Sequence, residues 1–303
     1  MLIPNKLKEE DVIGIIAPSG YIEEKDLKYI NKSIVLMENL GYKIKFGKNV
    51  FSNSTGYGAT AKEKAEDINN MFADKKVNMI WCAKGGANSN STFDYIDFDI
   101  IKKNPKILCG FSDSASILNI ITQKTGLITF YGATFKSITS WETNYAYTEI
   151  IKRFQDQKLE LGKEDDIFIA LKEGVAEGEL VGGNLSLTKD LVDGKYKIDF
   201  TNKILCLEEL GYESFPELVS NYLYNMKQNG VFEKIKGMWI GNYEHESNIS
   251  IEKIVLDTLE NEYDFPIIKS NNFGHTERKT VIPIGTKARI ENGKIVLLEN
   301  CVK

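Results

Sequence analysis

Ser112 lies at a predicted junction between an apolar strand and a helix, in the pentapeptide GFSDS at residues 110–114. Such a junction exposes the serine hydroxyl at the carboxyl edge of a sheet, and the following helix directs backbone N–H groups at an oxyanion developing there. This arrangement is typical of nucleophilic attack on a carbonyl carbon. The usual nucleophile turn has glycine two residues after the serine, where this chain has Ser114, so a serine that caps a helix is the alternative.

A glycine-rich turn is the second feature suited to chemistry. The segment KGGANSN, residues 84–90, follows a predicted strand that ends at Ala83. The paired glycines Gly85 and Gly86 allow the backbone to approach a ligand closely, and one N–H group of such a turn can complete an oxyanion hole. From this segment alone, a plain tight turn explains the pattern equally well.

Any histidine-dependent mechanism must choose between two residues, because the chain contains only His245 and His275. His275 stands in a predicted loop before a strand, where catalytic groups are often mounted. His245 stands between two glutamates, which indicates a solvated surface position. The sequence therefore favours His275 as a general base, with a purely structural role as the alternative.

An acidic pair, Glu208 and Glu209, ends the predicted apolar strand 204–207. Successive side chains of a strand face opposite ways, so only one of the two can point into a shared cleft; a solvated strand end is the alternative. The two histidines stand far apart, and no cysteines or aspartates cluster with metal-ligand spacing. We therefore expect neither a metal nor another cofactor.

These residues follow strands that alternate with helices. Strands are predicted at 13–17, 42–46, 77–83 and 107–110, and helices at 23–40, 61–72 and 115–122. This alternation implies a parallel sheet covered on both faces. Residues 1–150 are therefore predicted to form an N-terminal α/β domain that carries the serine.

Beyond this domain the pattern loosens. Residues 151–176 include the charged stretch LELGKEDDIFIALKEG, which lacks a clear period and is typical of a linker between domains. A second α/β domain is predicted for residues 177–303. Its elements include strands at 204–207 and 239–241, a helix at 216–228, and a hairpin that turns at Asn292-Gly293.

Composition limits the class of protein. The chain has 303 residues, of which 42% are hydrophobic and 27% charged, an ordinary balance for a soluble protein. A net charge of −5, without basic clusters interleaved with aromatics, argues against nucleic-acid binding. With no signal-like N-terminus and no apolar segment near about 18 residues, we expect a cytoplasmic protein that does not enter a membrane. The cysteines form no CxxC pair and are expected to be reduced packing residues: Cys82, Cys109, Cys206 and Cys301.

Taken in order, these segments resemble the LD-carboxypeptidase family, which includes murein tetrapeptide carboxypeptidases and microcin C immunity peptidases. The resemblance spans nearly the whole chain and rests on IGIIAPSG, MFADKKVNMIWCAKGGANSN, FDYIDFDIIKKNPKILCGFSD, KTGLITFYGATF, EGELVGGNLSL, ILCLEEL, NGVFEKIKGMWIG and FGHTERKTVIPIG. It implies an α/β architecture with an N-terminal parallel-sheet domain, flavodoxin-like and similar to class I amidotransferases. A smaller C-terminal α/β domain would complete it, with the active site in the interdomain cleft.

The resemblance also implies roles for individual residues. It makes Ser112 the nucleophile, His275 the general base and Glu208 the carboxylate that orients the base. It places the oxyanion hole at the backbone of Gly86 and Asp113. It further implies a small peptide or aminoacyl-conjugate substrate and a homodimer.

A carboxypeptidase must also recognise the free carboxylate of its substrate, which needs positive charge or convergent N–H donors. The candidates are Lys84, beside the glycine turn, and Arg278, three residues after the expected base. Gly85, Asn88 and Asn184 are further expected substrate contacts. For both cations, a solvated surface side chain is the alternative.

Two questions of function stay open at the level of sequence. The glycine turn and the Gly-His-Thr motif are closer to the immunity branch, whereas residues 151–181 lack the tryptophan on which that branch stacks a nucleotide base. Among other classes, a class I amidotransferase-like glutaminase would need cysteine in place of Ser112. A non-catalytic α/β ligand-binding protein would have no need for the serine, glutamate and histidine together.

Overall fold

The computed structural model describes residues 1–140, 144–155, 159–163, 165–243, 245 and 248–303. Within these ranges, no helix is long and apolar enough to cross a membrane. The strands are β1 Val12–Ile16, β2 Lys43–Phe46, β3 Val77–Cys82, β4 Ile107–Gly110, β5 Thr129–Tyr131, β6 Phe168–Lys172, β7 Ala176–Asn184, β8 Lys203–Glu209, β9 Gly237–Tyr243, β10 Ile267–Ser270, β11 Ile282–Ile284, β12 Lys287–Glu291 and β13 Lys294–Leu297. The α-helices are α1 Leu27–Asn39, α2 Ala61–Ala73, α3 Phe98–Lys103, α4 Ala115–Thr125, α5 Tyr145–Gln155, α6 Leu185–Lys189, α7 Pro216–Gln228 and α8 Ile251–Leu259. Short 3-10 helices span Glu24–Asp26, Ser89–Tyr95, Ser112–Ser114, Ser137–Thr139 and Gly211–Ser214.

The first sheet has six strands in the order β2-β1-β3-β4-β5-β11. Strands β1 to β5 run parallel to one another, which confirms the parallel sheet predicted from the alternation of strands and helices. β3 and β4 are buried along almost their whole length, the pattern of strands covered on both faces.

One strand of this sheet comes from the C-terminal part of the chain. β11 pairs antiparallel with β5 and is completely buried, although it lies within the segment 177–303 that we expected to form a separate domain. Its pairing covers what would otherwise be an open edge of β5. The chain therefore returns to the first sheet before it ends.

The second sheet has seven strands in the order β13-β12-β7-β8-β9-β10-β6. β7 to β10 are parallel, while β12, β13 and β6 are antiparallel to their neighbours. Asn292 and Gly293 join β12 to β13 with φ angles of 51° and 69°. Positive φ at both central residues is what a type I′ turn requires, so the predicted hairpin is confirmed.

Regular structure extends into the expected linker, residues 151–176. α5 runs across the predicted boundary at residue 150, and β6 pairs with β10 at the edge of the second sheet. These residues therefore contain regular structure that the sequence pattern did not reveal. An edge strand is hydrogen-bonded on one side only, and the mostly half-buried side chains of β6 leave no clear alternation in the sequence.

The two sheets share one continuous hydrophobic core. α4 packs against β7, where the Asn119 side chain donates to the carbonyl of Gly182 over 2.8 Å and accepts from its N–H over 3.0 Å. Gly183 has a φ of 134°, and a Cβ atom there would lie 3.1 Å from the Tyr131 ring and 3.2 Å from Cβ of Ala115. The glycine pair of β7 thus allows the second sheet to pack directly against the first.

Candidate active site

Ser112 follows β4 after one intervening residue and has a φ of 58°, in the left-handed region that non-glycine residues rarely adopt. Such a conformation at a strand-to-helix turn is typical of a strained nucleophile turn. Neither this turn nor α4, whose N-cap is Ser114, has a side-chain capping bond that would support the helix-cap alternative. Space for the turn comes from Gly110, where a Cβ atom would lie 2.7 Å from Cβ of Ser114. A glycine before the serine therefore provides the room that the missing later glycine would give.

The glycine turn lies directly beside Ser112. A Cβ atom at Gly85 would lie 3.0 Å from Cβ and 3.3 Å from Oγ of Ser112. Gly86 has a φ of 153°, and a Cβ atom there would lie 2.6 Å from the backbone nitrogen of Gly20. A side chain at Gly86 is therefore excluded, and one at Gly85 would crowd the serine hydroxyl.

Two side chains tie the glycine turn to its surroundings. The Asp113 carboxylate accepts a hydrogen bond of 2.9 Å from the N–H of Ser89, and burial raises the pKa of this carboxyl group. Asn88, expected as a substrate contact, accepts a hydrogen bond of 2.6 Å from Nζ of the buried Lys64. The Asn88 side-chain oxygen is thus already engaged within the protein, and its role as a substrate contact stays a prediction.

His275 and Glu208 are in direct contact. Nδ1 of His275 lies 2.7 Å from Oε2 of Glu208, and the backbone N–H of His275 donates to the same oxygen over 3.1 Å. The Glu208 side chain is completely buried, whereas 17% of the His275 side chain is exposed. A proton on Nδ1 leaves Nε2 free to accept another, as a general base must.

The surroundings of Glu208 keep its carboxylate ionised. Burial by itself would raise the pKa of Glu208. The His275 imidazole, together with hydrogen bonds from His275, Tyr131 and Asn184, outweighs burial and lowers that pKa. Glu208 can therefore act as an anion beside the imidazole.

Phe111 connects this pair to the serine turn. Its ring centroid lies 4.5 Å from that of His275 and 5.1 Å from that of Tyr131. Because Phe111 directly precedes Ser112, the histidine ring and the serine turn are neighbours. The structure thus places the turn that carries Ser112 beside the His275 ring, which is itself in contact with Glu208.

Glu209 is bound by groups other than His275. Its carboxylate accepts hydrogen bonds from the N–H of Ser186 over 2.7 Å and from the next N–H along the chain over 3.0 Å. Glu209 is buried, so the alternative of a solvated strand end is wrong. Asn184 is buried too, and its amide donates to Glu209 over 2.6 Å and to Glu208 over 3.4 Å. Asn184 therefore holds the two carboxylates, and its expected role as a substrate contact stays a prediction.

The two cations expected to bind the substrate carboxylate are already paired. Nζ of Lys84 lies 2.6 Å from the buried carboxylate of Asp26. The Arg278 guanidinium lies 2.8 Å from Asp165 and 2.7 Å from Asp166. Either residue would have to leave an ion pair to bind a substrate, so the structure does not present them as ready ligands.

Two neighbours of this site escape sequence reasoning. The Tyr131 hydroxyl donates a hydrogen bond of 2.6 Å to Oε1 of Glu208. The Lys279 ammonium lies 4.7 Å from the ring centroid of Phe111 and donates to the carbonyls on either side of His275. The one available signal is that Tyr131 ends the strand next to the one that leads to the serine turn.

The remaining titratable candidates pack within the protein. His245 is half-buried and its ring centroid lies 4.4 Å from that of Phe215, so the position is only partly solvated. The adjacent residues 244 and 246 lie outside the described part of the chain. All four cysteines are free and buried, which confirms them as packing residues. Among the residues that the structure describes, no three His, Cys, Asp or Glu side chains are grouped to hold a metal ion.

Comparison with known proteins points to the same family as the motifs. The profile described as LD-carboxypeptidase N-terminal domain matches residues 13–132, and the profile described as LD-carboxypeptidase C-terminal domain matches residues 177–290. The probable murein peptide carboxypeptidase of Bacillus subtilis (strain 168) is 30% identical over 300 residues, which cover 96% of this chain and 92% of that protein. The microcin C7 self-immunity protein MccF of Escherichia coli is 25% identical over 325 residues, covering 96% and 93%.

Solved structures share this mixed α/β architecture. An MccF-like protein from Bacillus anthracis str. Ames has a TM-score of 0.88 at 26% identity and covers 98% of both chains. Wild-type MccF in its apo state has a TM-score of 0.89 at 23% identity and covers 100% of both chains, a likeness of fold alone. Both domain profiles and a relative aligned along nearly the whole sequence establish that the chain belongs to the LD-carboxypeptidase family of serine peptidases.

Proposed function

We propose that this protein is a serine carboxypeptidase in which Ser112 is the nucleophile, His275 the general base and Glu208 the carboxylate that orients the base. The observation that carries the proposal is the 2.7 Å contact between Nδ1 of His275 and the completely buried carboxylate of Glu208. A carboxylate in that position fixes the imidazole tautomer and stabilises the imidazolium that forms during the reaction. The left-handed conformation of Ser112 and the contact of Phe111 with His275 support a nucleophile beside this pair.

The proposed reaction is acyl transfer in two steps. Nε2 of His275 removes the hydroxyl proton while Oγ of Ser112 bonds to the carbonyl carbon of the substrate amide. The carbonyl oxygen becomes an oxyanion, which the backbone N–H groups of Gly86 and Asp113 stabilise. The imidazolium then donates its proton to the departing amine and the C–N bond breaks. Water attacks the acyl-enzyme with the same histidine as base, which releases the acid and restores the serine.

The proposed site lies in a cleft between two α/β domains. Ser112 follows a strand of the first sheet, whereas Glu208 lies in β8 of the second. The parallel order β2-β1-β3-β4-β5 supports a flavodoxin-like description of the first sheet. Because the nucleophile and the acid come from different sheets, the approach of one sheet to the other sets the distance between serine and base. The division into residues 1–150, 151–176 and 177–303 and the homodimer stay predictions.

The proposed substrate is a small peptide-like molecule that is cleaved at a terminal amide. The 30% identical relative from Bacillus subtilis is named for murein peptides, which supports the L,D-amide bond of a murein tetrapeptide. A second candidate is an aminoacyl conjugate of the microcin C type, supported by the 26% identical MccF-like structure from Bacillus anthracis. The absence of tryptophan from residues 151–181 favours the murein peptide.

A serine-directed phosphonate tests the nucleophile. We expect it to label the wild type and not Ser112→Ala, with Ser114→Ala as the matched control because it removes a buried hydroxyl from the same turn. Hydrolysis of a peptide that ends in a free D-alanine carboxylate should fall by about three orders of magnitude or more in Ser112→Ala. Retention of more than about a tenth of the turnover would remove Ser112 from the mechanism. Equal hydrolysis of the free acid and its C-terminal amide by the wild type would contradict a carboxypeptidase.

A further inference from the structure

Tyr131 belongs to the first sheet, yet it contacts the acid that β8 contributes from the second. It is the last residue of β5, it is buried, and its hydroxyl donates a hydrogen bond of 2.6 Å to Oε1 of Glu208. Tyr131 also pairs with Gly110 of β4, and its ring centroid lies 5.1 Å from that of Phe111. One side chain therefore touches both the strand that leads to the nucleophile and the carboxylate that orients the base.

The hydroxyl completes a set of donors around Glu208. Oε2 accepts hydrogen bonds from Nδ1 of His275 over 2.7 Å and from the backbone N–H of His275 over 3.1 Å. Oε1 receives the Tyr131 hydroxyl at 2.6 Å and, over a longer 3.4 Å, the amide of Asn184. A buried carboxylate needs such donors to stay ionised and to hold one orientation. The Tyr131 bond is the stronger of these two restraints on the oxygen that faces away from the histidine.

The packing of β7 leaves room for this contact. Gly183 has a φ of 134°, and a Cβ atom at this position would lie 3.1 Å from the Tyr131 ring. A side chain there would have to displace the ring and, with it, the hydroxyl from Glu208. The glycine and the tyrosine together allow a side chain of the first sheet to reach β8 of the second.

We propose that Tyr131 is a positioning residue for the hydrolytic reaction, whose hydroxyl holds Glu208 in the orientation that presents its other oxygen to His275. This inference rests on the proposed function and deepens it. It makes the alignment of the acid depend on how the first sheet packs against the second. No bond to Tyr131 forms or breaks during the reaction, and the proton stays on its phenol.

The groups around Glu208 determine the sign of the expected pH effect. They are the His275 imidazole, the Tyr131 hydroxyl, the Asn184 amide, the Glu209 carboxylate and the phenol of Tyr243. Burial raises the pKa of Glu208, and the His275 imidazole and the Tyr131 hydroxyl act to lower it. Loss of the hydroxyl therefore raises this pKa, so the carboxylate becomes protonated at a higher pH. The acid limb of the kcat/KM profile should then move to higher pH.

Tyr131→Phe tests the inference, with Tyr42→Phe as the matched control. Tyr42 is also buried, and its hydroxyl accepts a hydrogen bond of 2.5 Å from Gln155, outside the site. On the D-alanyl peptide, Tyr131→Phe should lower kcat about tenfold or more, the scale of one hydrogen bond to a buried charge, with little change in KM. Its acid limb should move to higher pH. Tyr42→Phe should change neither kcat nor the pH profile.

A second substitution keeps the inference testable if Tyr131→Phe does not fold. Incorporation of 3-fluorotyrosine at position 131 keeps the hydroxyl and makes it a stronger donor, so the acid limb should move to lower pH. An unchanged kcat and an unchanged pH profile in the folded variants would overturn the inference.

A measurement without turnover separates this inference from the proposed function. The downfield proton resonance of Nδ1 in His275 reports its hydrogen bond to Glu208 whether or not the enzyme acts on a given peptide. It should shift in Tyr131→Phe and stay in place in Tyr42→Phe. A wild type that neither hydrolyses the peptide nor reacts with the phosphonate would contradict the proposed function. An identical Nδ1 resonance in wild type and Tyr131→Phe would contradict the positioning role of Tyr131.

Discussion

Ser89 and Asp113 form two hydrogen bonds with each other, which join the glycine turn to the serine turn. The N–H of Ser89 donates to the Asp113 carboxylate over 2.9 Å, and Oγ of Ser89 donates to the Asp113 carbonyl over 2.8 Å. Both residues are buried. In the proposed mechanism the two turns supply one oxyanion donor each. The two hydrogen bonds between Ser89 and Asp113 therefore fix the distance between these donors.

Asp113→Ala should therefore impair catalysis through the position of the glycine turn. We expect kcat to fall about hundredfold, the scale of one lost oxyanion donor, with a smaller change in KM. Asp97→Ala is the control, because the Asp97 carboxylate also accepts from backbone N–H groups, those of Asp99 and Ile100, at the start of α3. It should cost about 1 kcal/mol of stability and leave kcat intact. Equal kcat values for the two variants would contradict the proposed role of Asp113.

The acidic pair should show opposite sensitivities to an isosteric change. Glu208→Gln places a neutral amide beside His275 and should lower kcat by about three to four orders of magnitude, because it no longer fixes the tautomer or stabilises the imidazolium. Glu209→Gln should keep most of kcat, since the Glu209 carboxylate bonds the N–H of Ser186 and not the histidine. Steady-state kinetics on the D-alanyl peptide measure kcat for both variants and rank them. The reverse ranking would assign the orienting role to Glu209.

The same pair should give opposite pH dependences of stability. The pKa of Glu208 is lowered from 4.5 in the folded protein. The Glu208 carboxylate therefore stabilises the folded state above pH 4.5, and this stabilisation is lost as the pH falls through the folded pKa. The pKa of Glu209 is raised from 4.5, chiefly by burial, so stability is lost as the pH rises from 4.5 through its folded pKa.

Urea unfolding from about pH 3 to about pH 7 measures both effects. The gap between wild type and Glu208→Gln should open as the pH rises toward 4.5. Glu209→Gln should gain stability relative to wild type as the pH rises above 4.5. Parallel pH curves for the three proteins would show that the two carboxyl groups do not differ in this way.

Local patterns account for what the sequence could predict. The strand, turn and helix around Ser112 are contiguous, and the apolar run 204–207 predicts a strand that carries Glu208 and Glu209 at its end. Such signals need only a few neighbouring residues. Positive φ at Asn292 and Gly293 likewise follows from the residue types of a two-residue hairpin.

Contacts between distant segments explain what the sequence could not predict. The Tyr131 hydroxyl meets a carboxylate 77 residues further along the chain, and nothing near Tyr131 indicates which sheet its side chain will reach. β11 has only three residues, and its place beside β5 depends on an edge that forms elsewhere. The sequence gives no sign of the ion pairs of Lys84 and Arg278, because their carboxylate partners are likewise remote along the chain.

Arg278 and Lys279 are consecutive, yet they make different contacts. The Arg278 guanidinium pairs with Asp166 over 2.7 Å and lies 4.8 Å from the ring centroid of Tyr145. The Lys279 ammonium is buried, and it donates to the two carbonyls that flank His275. Lys279 therefore restrains the loop that carries the proposed base, whereas Arg278 is bound to the segment around Asp166.

Lys279→Met should consequently lower kcat more than Arg278→Ala does. Removal of the ammonium frees both carbonyls of the His275 loop, and hydrogen bonds to a charged group are worth about 1.5 to 3 kcal/mol each, so a loss of about tenfold or more in kcat is expected. Arg278→Ala should mainly lower the melting temperature, because it leaves the Asp166 carboxylate buried without its partner. It should also keep the preference for a free acid over an amide peptide, since its guanidinium is already bound by carboxylates. If Arg278→Ala loses that preference, Arg278 is a ligand of the substrate carboxylate. A normal kcat in Lys279→Met would show that the His275 loop holds its position without the ammonium.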